Sequence, residues 1–199
     1  MTSPAGWMNA NLYANVVPLF ALLLTIGYGA AAVAGQNEDE RLGLLAALPI
    51  SRTAMLLQKL LSLFVLSTPV ALVTGAAAVF GRRYDIDLGA GALFGTTVGV
   101  VLLAFDFGAL ALALGCLTGS RGMALGVSSA TAAAAYVISS LAGVVHWVHE
   151  LRHLSPMYWS VGQNQVGEGL AVGSFAALSL TGLALGGVGL LAFSRLDLR

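Results

Sequence analysis

Along the chain, charged side chains fall in short runs separated by long uncharged stretches: residues 1 to 37, 60 to 81, 88 to 105, 107 to 120, 122 to 145 and 169 to 194 carry none. Most of these reach the ~20 residues that cross ~30 Å of hydrocarbon at about 1.5 Å per residue. Joining the third and fourth stretches across Asp106 predicts five spanning helices, roughly Leu12 to Ala34, Leu60 to Phe80, Gly89 to Leu117, Met123 to Val145 and Leu170 to Phe193. Pro18 near the start of the first either kinks it or marks its first ordered turn, and Pro69 lies inside the second. The pattern predicts an all-α fold, a polytopic transmembrane helical bundle. Neither an internal repeat nor a low-complexity linker divides residues 1–199, which read as one transmembrane domain.

Polar residues concentrate in two connections. In the first, residues 36–59, Asn37 is a candidate helix cap with Glu40 as its reciprocal partner three residues on, and Glu38 and Asp39 place negative charge at the positive end of the helix dipole. A short helix is expected to start here, with Leu42, Leu45 and Ala46 on one face, and to stop at Pro49. Ser51 is placed to cap a second helix running through Lys59 into the second span. An acidic-headed amphipathic helix between two spans has the shape of a docking element, and equally that of an interfacial helix resting at the headgroups. The second connection, residues 146–169, is amphipathic and lies between the fourth and fifth spans.

Glycines recur at helical spacing: Gly91, Gly95 and Gly99, then Gly122 and Gly126, then Gly182 and Gly186. Such small-residue ladders let helix backbones approach closely, as a dimer seam or as packing within one chain.

Composition agrees with a lipid solvent: 58% of residues are hydrophobic and 9% charged, against about a quarter charged in a soluble domain. The zero net charge, with no basic cluster larger than Arg82-Arg83, excludes nucleic acid as an expected partner. Cys116, alone, rules out an intrachain disulfide and reads as a small hydrophobe. Met1 to Gly6 lacks a positive n-region and leads into a segment too long for a signal-peptide core, so the first span is expected to be retained. Eight Arg against one Lys, with abundant Ala and Gly, suggest a GC-rich bacterial genome.

Lys and Arg are retained on the cytoplasmic side of membrane proteins. Placing residues 36–59 inside puts Arg41, Arg52, Lys59, Arg121, Arg195 and Arg199 there, against Arg82, Arg83 and Arg152 outside. This topology sets the N-terminus outside and the C-terminus inside. Trp7, Trp147, Tyr158 and Trp159 then fall at outer boundaries, where amphipathic rings favour the interface.

Three features bear on chemistry. Asp106 is the one ionisable residue well inside a predicted span, slightly to the cytoplasmic side of its middle; such residues face a cavity or a partner. It could contact substrate, couple protons, as in a secondary transporter, or hydrogen-bond a Ser, Thr or Tyr on a neighbouring span. His149-Glu150-Leu151-Arg152-His153 matches the His-Glu-x-x-His of zinc metalloproteases, since His residues four apart share a helix face and the Glu can activate a zinc-bound water. Pro156 should stop that helix, and the only third ligand within reach is Glu168 in a glycine-flanked loop, so no metal is expected. Lys59, the sole lysine, has no glycine-rich phosphate cradle around it, so nucleotide chemistry has to come from another subunit.

Ala34-Gly35-Gln36-Asn37-Glu38-Asp39, then Leu42-Gly43-Leu44-Leu45-Ala46-Ala47-Leu48-Pro49-Ile50-Ser51-Arg52 and Lys59-Leu60-Leu61, resembles the ABC type-2 permease family. That family reads Ala-Gly, an acidic cluster, a Leu-rich helix, Pro-Val-Ser-Arg and a later Lys. Phe107 to Gly115 before a Gly-Arg turn, Leu154-Ser155-Pro156-Met157-Tyr158-Trp159, and the ending Phe193-Ser194-Arg195-Leu196-Asp197-Leu198 extend the likeness over nearly the whole chain. The resemblance implies an exporter permease of the cell membrane, and apolar spans with one carboxylate among them suit a hydrophobic or amphipathic substrate. It implies pairing with itself or a related subunit, and no cofactor on this chain; ATP and Mg would sit on a separate ABC ATPase. Docking would fall on Glu38, Asp39, Glu40, Arg41, Leu42, Leu45, Pro49, Ser51 and Arg52. Glu40 stands where the family often has Gly, and Gly43 where it often has Glu. The family's first spanning helix has no counterpart, as expected of a fragment, a misplaced start or half of a split permease.

Overall fold

The computed structural model describes residues 16–39, 51–69, 71–73, 75–76, 90–141, 155–161 and 172–194. Helix α1, Val17–Ala30, starts with Pro18 in its first turn, where a missing N–H costs nothing. It does not stop at Ala34. A π-helical turn, Ala31–Gly35, and a last helical turn, Gln36–Glu38, carry it on, and Asp39 N–H closes it on the Gly35 carbonyl at 3.0 Å. Asn37 therefore lies inside the last turn of the first span, and the short helix expected to start after it falls on residues outside those described. Asn serves helix ends of either polarity, so its presence alone did not say which end it marked.

Helix α2, Arg52–Ser67, begins at Ser51, whose extended backbone and hydroxyl, accepting from Ala54 N–H at 3.2 Å, make an N-cap. The span-length helix runs Arg52–Val73, so the second span begins at Arg52 rather than Leu60, and Lys59 belongs to it. Pro69 interrupts it: a proline ring clashes with the carbonyl four residues back, here that of Val65. That carbonyl turns to the Thr68 N–H and the Thr68 hydroxyl instead, at 3.1 and 2.7 Å.

Helix α3, Ala90–Thr118, and α4, Arg121–Leu141, are separated by a two-residue turn in which Gly119 takes φ 64°, a left-handed conformation that glycine adopts without steric cost. Ser120 heads α4, its hydroxyl accepting from Met123 N–H at 3.4 Å. The short α5, Pro156–Val161, follows Ser155, whose hydroxyl donates to the Ala135 carbonyl of α4 at 3.0 Å and so seats α5 on the bundle. Helix α6 is Val172–Ser194.

Five helices among the described residues are long and apolar enough to cross a membrane: Val17–Glu38, Arg52–Val73, Phe94–Thr118, Arg121–Leu141 and Val172–Ser194. With no strand among the described residues, the fold is an all-α polytopic bundle. The α3 window is 67% buried and that of α1 56%, while α2, α4 and α6 bury 17–22% and present the rest outward. Helix α3 is thus the axis, with α1 and α6 its principal neighbours. A Cβ on Gly29 would overlap the Gly108 carbonyl, so α1 and α3 meet backbone to backbone at that crossing. Leu22, Ile26, Leu103, Phe107, Ala132, Met157 and Leu178 pack one core from four of the spanning helices and α5. A second, from Val33, Met55, Leu56, Leu112, Cys116 and Phe193, closes the end at which Gln36 and Ser51 lie.

Candidate transport and coupling site

At the end where α1 finishes and α2 begins, polar groups of separate helices engage one another. The π-turn widens the helix by one residue and displaces its carbonyls from the regular ladder. Lys59 Nζ, reaching across from α2, donates to one of them, that of Ala32, and to Gln36 Oε1 at 2.5 Å. The half-buried lysine therefore ties the middle of α2 to the end of the first span. Gly35 and Gly115 keep this end compact: a Cβ on Gly35 would stand 3.4 Å from Arg121 Cδ, and one on Gly115 3.3 Å from Ala34 Cβ.

Glu38 is exposed, yet it is engaged. Its Oε1 accepts from the Arg121 backbone N–H at 2.8 Å, at the first turn of α4, where a carboxylate meets an unsatisfied donor and the positive end of the dipole. Asp39, Ser51 and Arg52 are exposed at the two ends of the intervening segment. Glu40, Arg41, Leu42, Leu45 and Pro49 lie outside the described residues, as do His149, Glu150, His153 and Glu168 of the zinc pattern.

Asp106 lies midway along Phe94–Thr118 and is 2% exposed. Neither carboxylate oxygen has a hydrogen-bond partner among the described residues, so none of their Ser, Thr or Tyr side chains supplies the bond that sequence reasoning offered as one alternative. Its Oδ1 sits against α6 where there is no side chain: a Cβ on Gly182 would be 2.5 Å from it and 3.0 Å from the Phe105 ring. Phe105 in turn meets Phe64 of α2 edge to face, with ring centroids 5.9 Å apart. The carboxylate is thus enclosed where α2, α3 and α6 converge.

The glycine ladders separate by environment. Gly182 and Gly186 face Asp106 and Leu60 within the chain, and Gly95 and Gly99 are buried on α3. Gly91 belongs to the first turn of α3. Gly122 and Gly126 are exposed on α4, and a Cβ on Gly126 would meet nothing within 4 Å. Between α1 and α4 an open, apolar groove of about 300 Å³ is lined by Leu22, Leu23, Ile26, Ala132, Tyr136 and Met157, among others.

Sequence reasoning missed the Lys59 lock, the Glu38–Arg121 contact and the Gly29–Gly108 crossing. The first left a trace: a lone lysine downstream of an Ala-Gly pair. The other two join residues 83 and 79 positions apart and leave none.

No curated protein and no solved structure matches the chain. A family model described as ABC-2 family transporter protein matches residues 1–197. Five apolar span-length helices and that match over nearly the whole length place the chain, as a multi-pass membrane protein, in the ABC-2 transporter family.

Proposed function

We propose that this chain is the membrane-spanning subunit of an ABC exporter, docking a separate ATPase on the segment between Asp39 and Ser51 and moving a hydrophobic or amphipathic substrate past Asp106. The observation that carries this reading is the Lys59 lock. The segment leaves the first span just past Gln36 and enters α2 about two turns before Lys59, and Lys59 ties the two helices together through Ala32 and Gln36, so a force applied to the segment reaches two linked spanning helices. A helix merely floating at the headgroups gains nothing from such an anchor. The excess of Lys and Arg at this end supports a cytoplasmic location, where ATP is. A second copy or a related subunit completes the transporter.

Because Glu38 is engaged by α4, the docking test spares it. Replacing Asp39, Glu40, Leu42 and Leu45 together by Ala, with Glu38 kept, removes charge and apolar contact from the segment while leaving the spans their full apolar length. Co-purification with the ATPase should be lost and the spans still insert. Full retention of binding and of permease-stimulated ATP turnover would reduce the segment to an interfacial helix.

A further inference from the structure

Glu38 belongs to the expected docking set, and one of its carboxylate oxygens also engages a different helix. Helix α4 already has caps of its own: Ser120 Oγ takes the Met123 N–H, and Thr118 Oγ1 takes the Ser120 N–H at 3.3 Å. Neither reaches the Arg121 N–H, and Glu38, 83 residues away, supplies that acceptor at 2.8 Å. The aliphatic stem of Arg121 lies over Gly35, so α4 starts on the π-turn of α1 through a hydrogen bond and a packing contact made by one residue. The connection on its other side is Gly119, whose left-handed φ of 64° makes the α3–α4 turn a tight corner, with the Gly119 N–H donating to the Gly115 carbonyl at 2.9 Å.

Helix α4 is joined to α3 by chain and packs on α1, and at its first turn Glu38, next to the docking segment, and Gly35 hold it to the end of α1. We infer that Glu38 is a positioning residue that transmits displacement of the 39–51 segment to α4, turning a push on the end of α1 into movement of α4 about Gly119. The inference rests on the exporter reading above. Lys59 carries the same displacement between α1 and α2, so one event at the segment moves three of the five spans. A π-turn suits this place, because the extra residue can shift its hydrogen-bond register without breaking the helix.

The test uses the chain in lipid nanodiscs with the ABC ATPase subunit that co-purifies with it, in a Cys116→Ser background. Nitroxide pairs are placed by Leu61→Cys on α2 or Val127→Cys on α4, each against Leu183→Cys on α6, all three exposed positions. Distances are measured without nucleotide and after trapping with Mg-ADP-vanadate. Both pairs should shift in the otherwise wild-type complex. In Glu38→Ala the α2 pair should keep its shift while the α4 pair loses more than half of its own. Glu38→Gln, whose amide oxygen still accepts from the Arg121 N–H, should restore most of it, a rescue that loss of folding would not give. An α4 shift undiminished in Glu38→Ala overturns the inference. Loss of both shifts together with co-purification overturns it as well, by assigning Glu38 to docking. Failure of the wild-type chain to retain any ATPase overturns the exporter reading itself and is told apart at the purification step.

Discussion

Asp106 and Gly182 form a matched pair. A buried carboxylate without a partner is costly, and a chain selected for stability alone would replace it. Asp106→Leu should therefore stabilise the bundle, by about 1–3 kcal/mol if the full cost of an unsatisfied buried group is recovered, and abolish transport. Asp106→Asn keeps hydrogen-bonding capacity without the charge and should lower transport about tenfold, equivalent to ~1.4 kcal/mol at the barrier, with insertion and ATPase binding intact. Thermal unfolding and export of a hydrophobic dye from vesicles check the two; unchanged export in both variants would leave the carboxylate without a role. Gly182→Ala would drive a methyl into Oδ1 and the Phe105 ring, and overpacking of this kind costs about 1–3 kcal/mol. Gly126→Ala, with nothing within 4 Å, should leave monomer stability within about 0.5 kcal/mol. Both changes add one methyl to a helical glycine, so melting curves of the two separate packing from propensity. Asp106 itself was legible in the sequence, being a lone charge in an uncharged run. Its contact with Gly182 was not, because the helix-to-helix register that brings residues 106 and 182 together is set by packing rather than by spacing.

The helices were legible because lipid forces the backbone to satisfy its own hydrogen bonds, which leaves apolar length as a sufficient signal. Their polar ends were not. Length counts charges as boundaries, yet the Lys59 ammonium stays inside the second span by finding the Ala32 carbonyl and the Gln36 amide. The π-turn likewise has no compositional signature, since Ala31-Ala32-Val33-Ala34-Gly35 differs little from an ordinary apolar stretch. Lys59→Met should leave the Ala32 carbonyl and Gln36 unpaired at a cost of about 1–3 kcal/mol and weaken transport more than ATPase binding, as read by thermal unfolding and by the ratio of export to ATP turnover. Arg is not an equivalent replacement, because its planar fork presents donors differently from a point ammonium. Exposed Gly122 and Gly126 make α4 the element on which self-association is most simply tested: Gly126→Ile should weaken crosslinked dimers without lowering the melting temperature. An unchanged dimer yield would move the seam elsewhere.

At the scale of the molecule, the sequence carried the fold class and the family, and it carried the location of the segment between two spans. It could not say that α3 would be the axis. Apolar character does not rank the spans by burial, since α1 and α6 are almost equally apolar yet differ in burial, and what singles out α3 is where Gly108, Gly115 and Asp106 meet α1 and α6. The Lys and Arg asymmetry predicts a membrane orientation that can be tested directly: reporter fusions after Arg52 and Arg199 should report cytoplasm, and one near Asp85 the outside. Coupling to a separate ATPase is the property that defines the proposed exporter. The most direct measurement is ATP turnover by the co-purified ATPase subunit in nanodiscs, with the intact chain and with the variant carrying Ala at Asp39, Glu40, Leu42 and Leu45. The intact chain should bind the ATPase and stimulate its turnover, and the variant, inserted to the same level, should do neither. Equal binding and turnover with the two chains would contradict docking on this segment, and an intact chain that neither binds nor stimulates any ATPase would contradict the exporter reading as a whole.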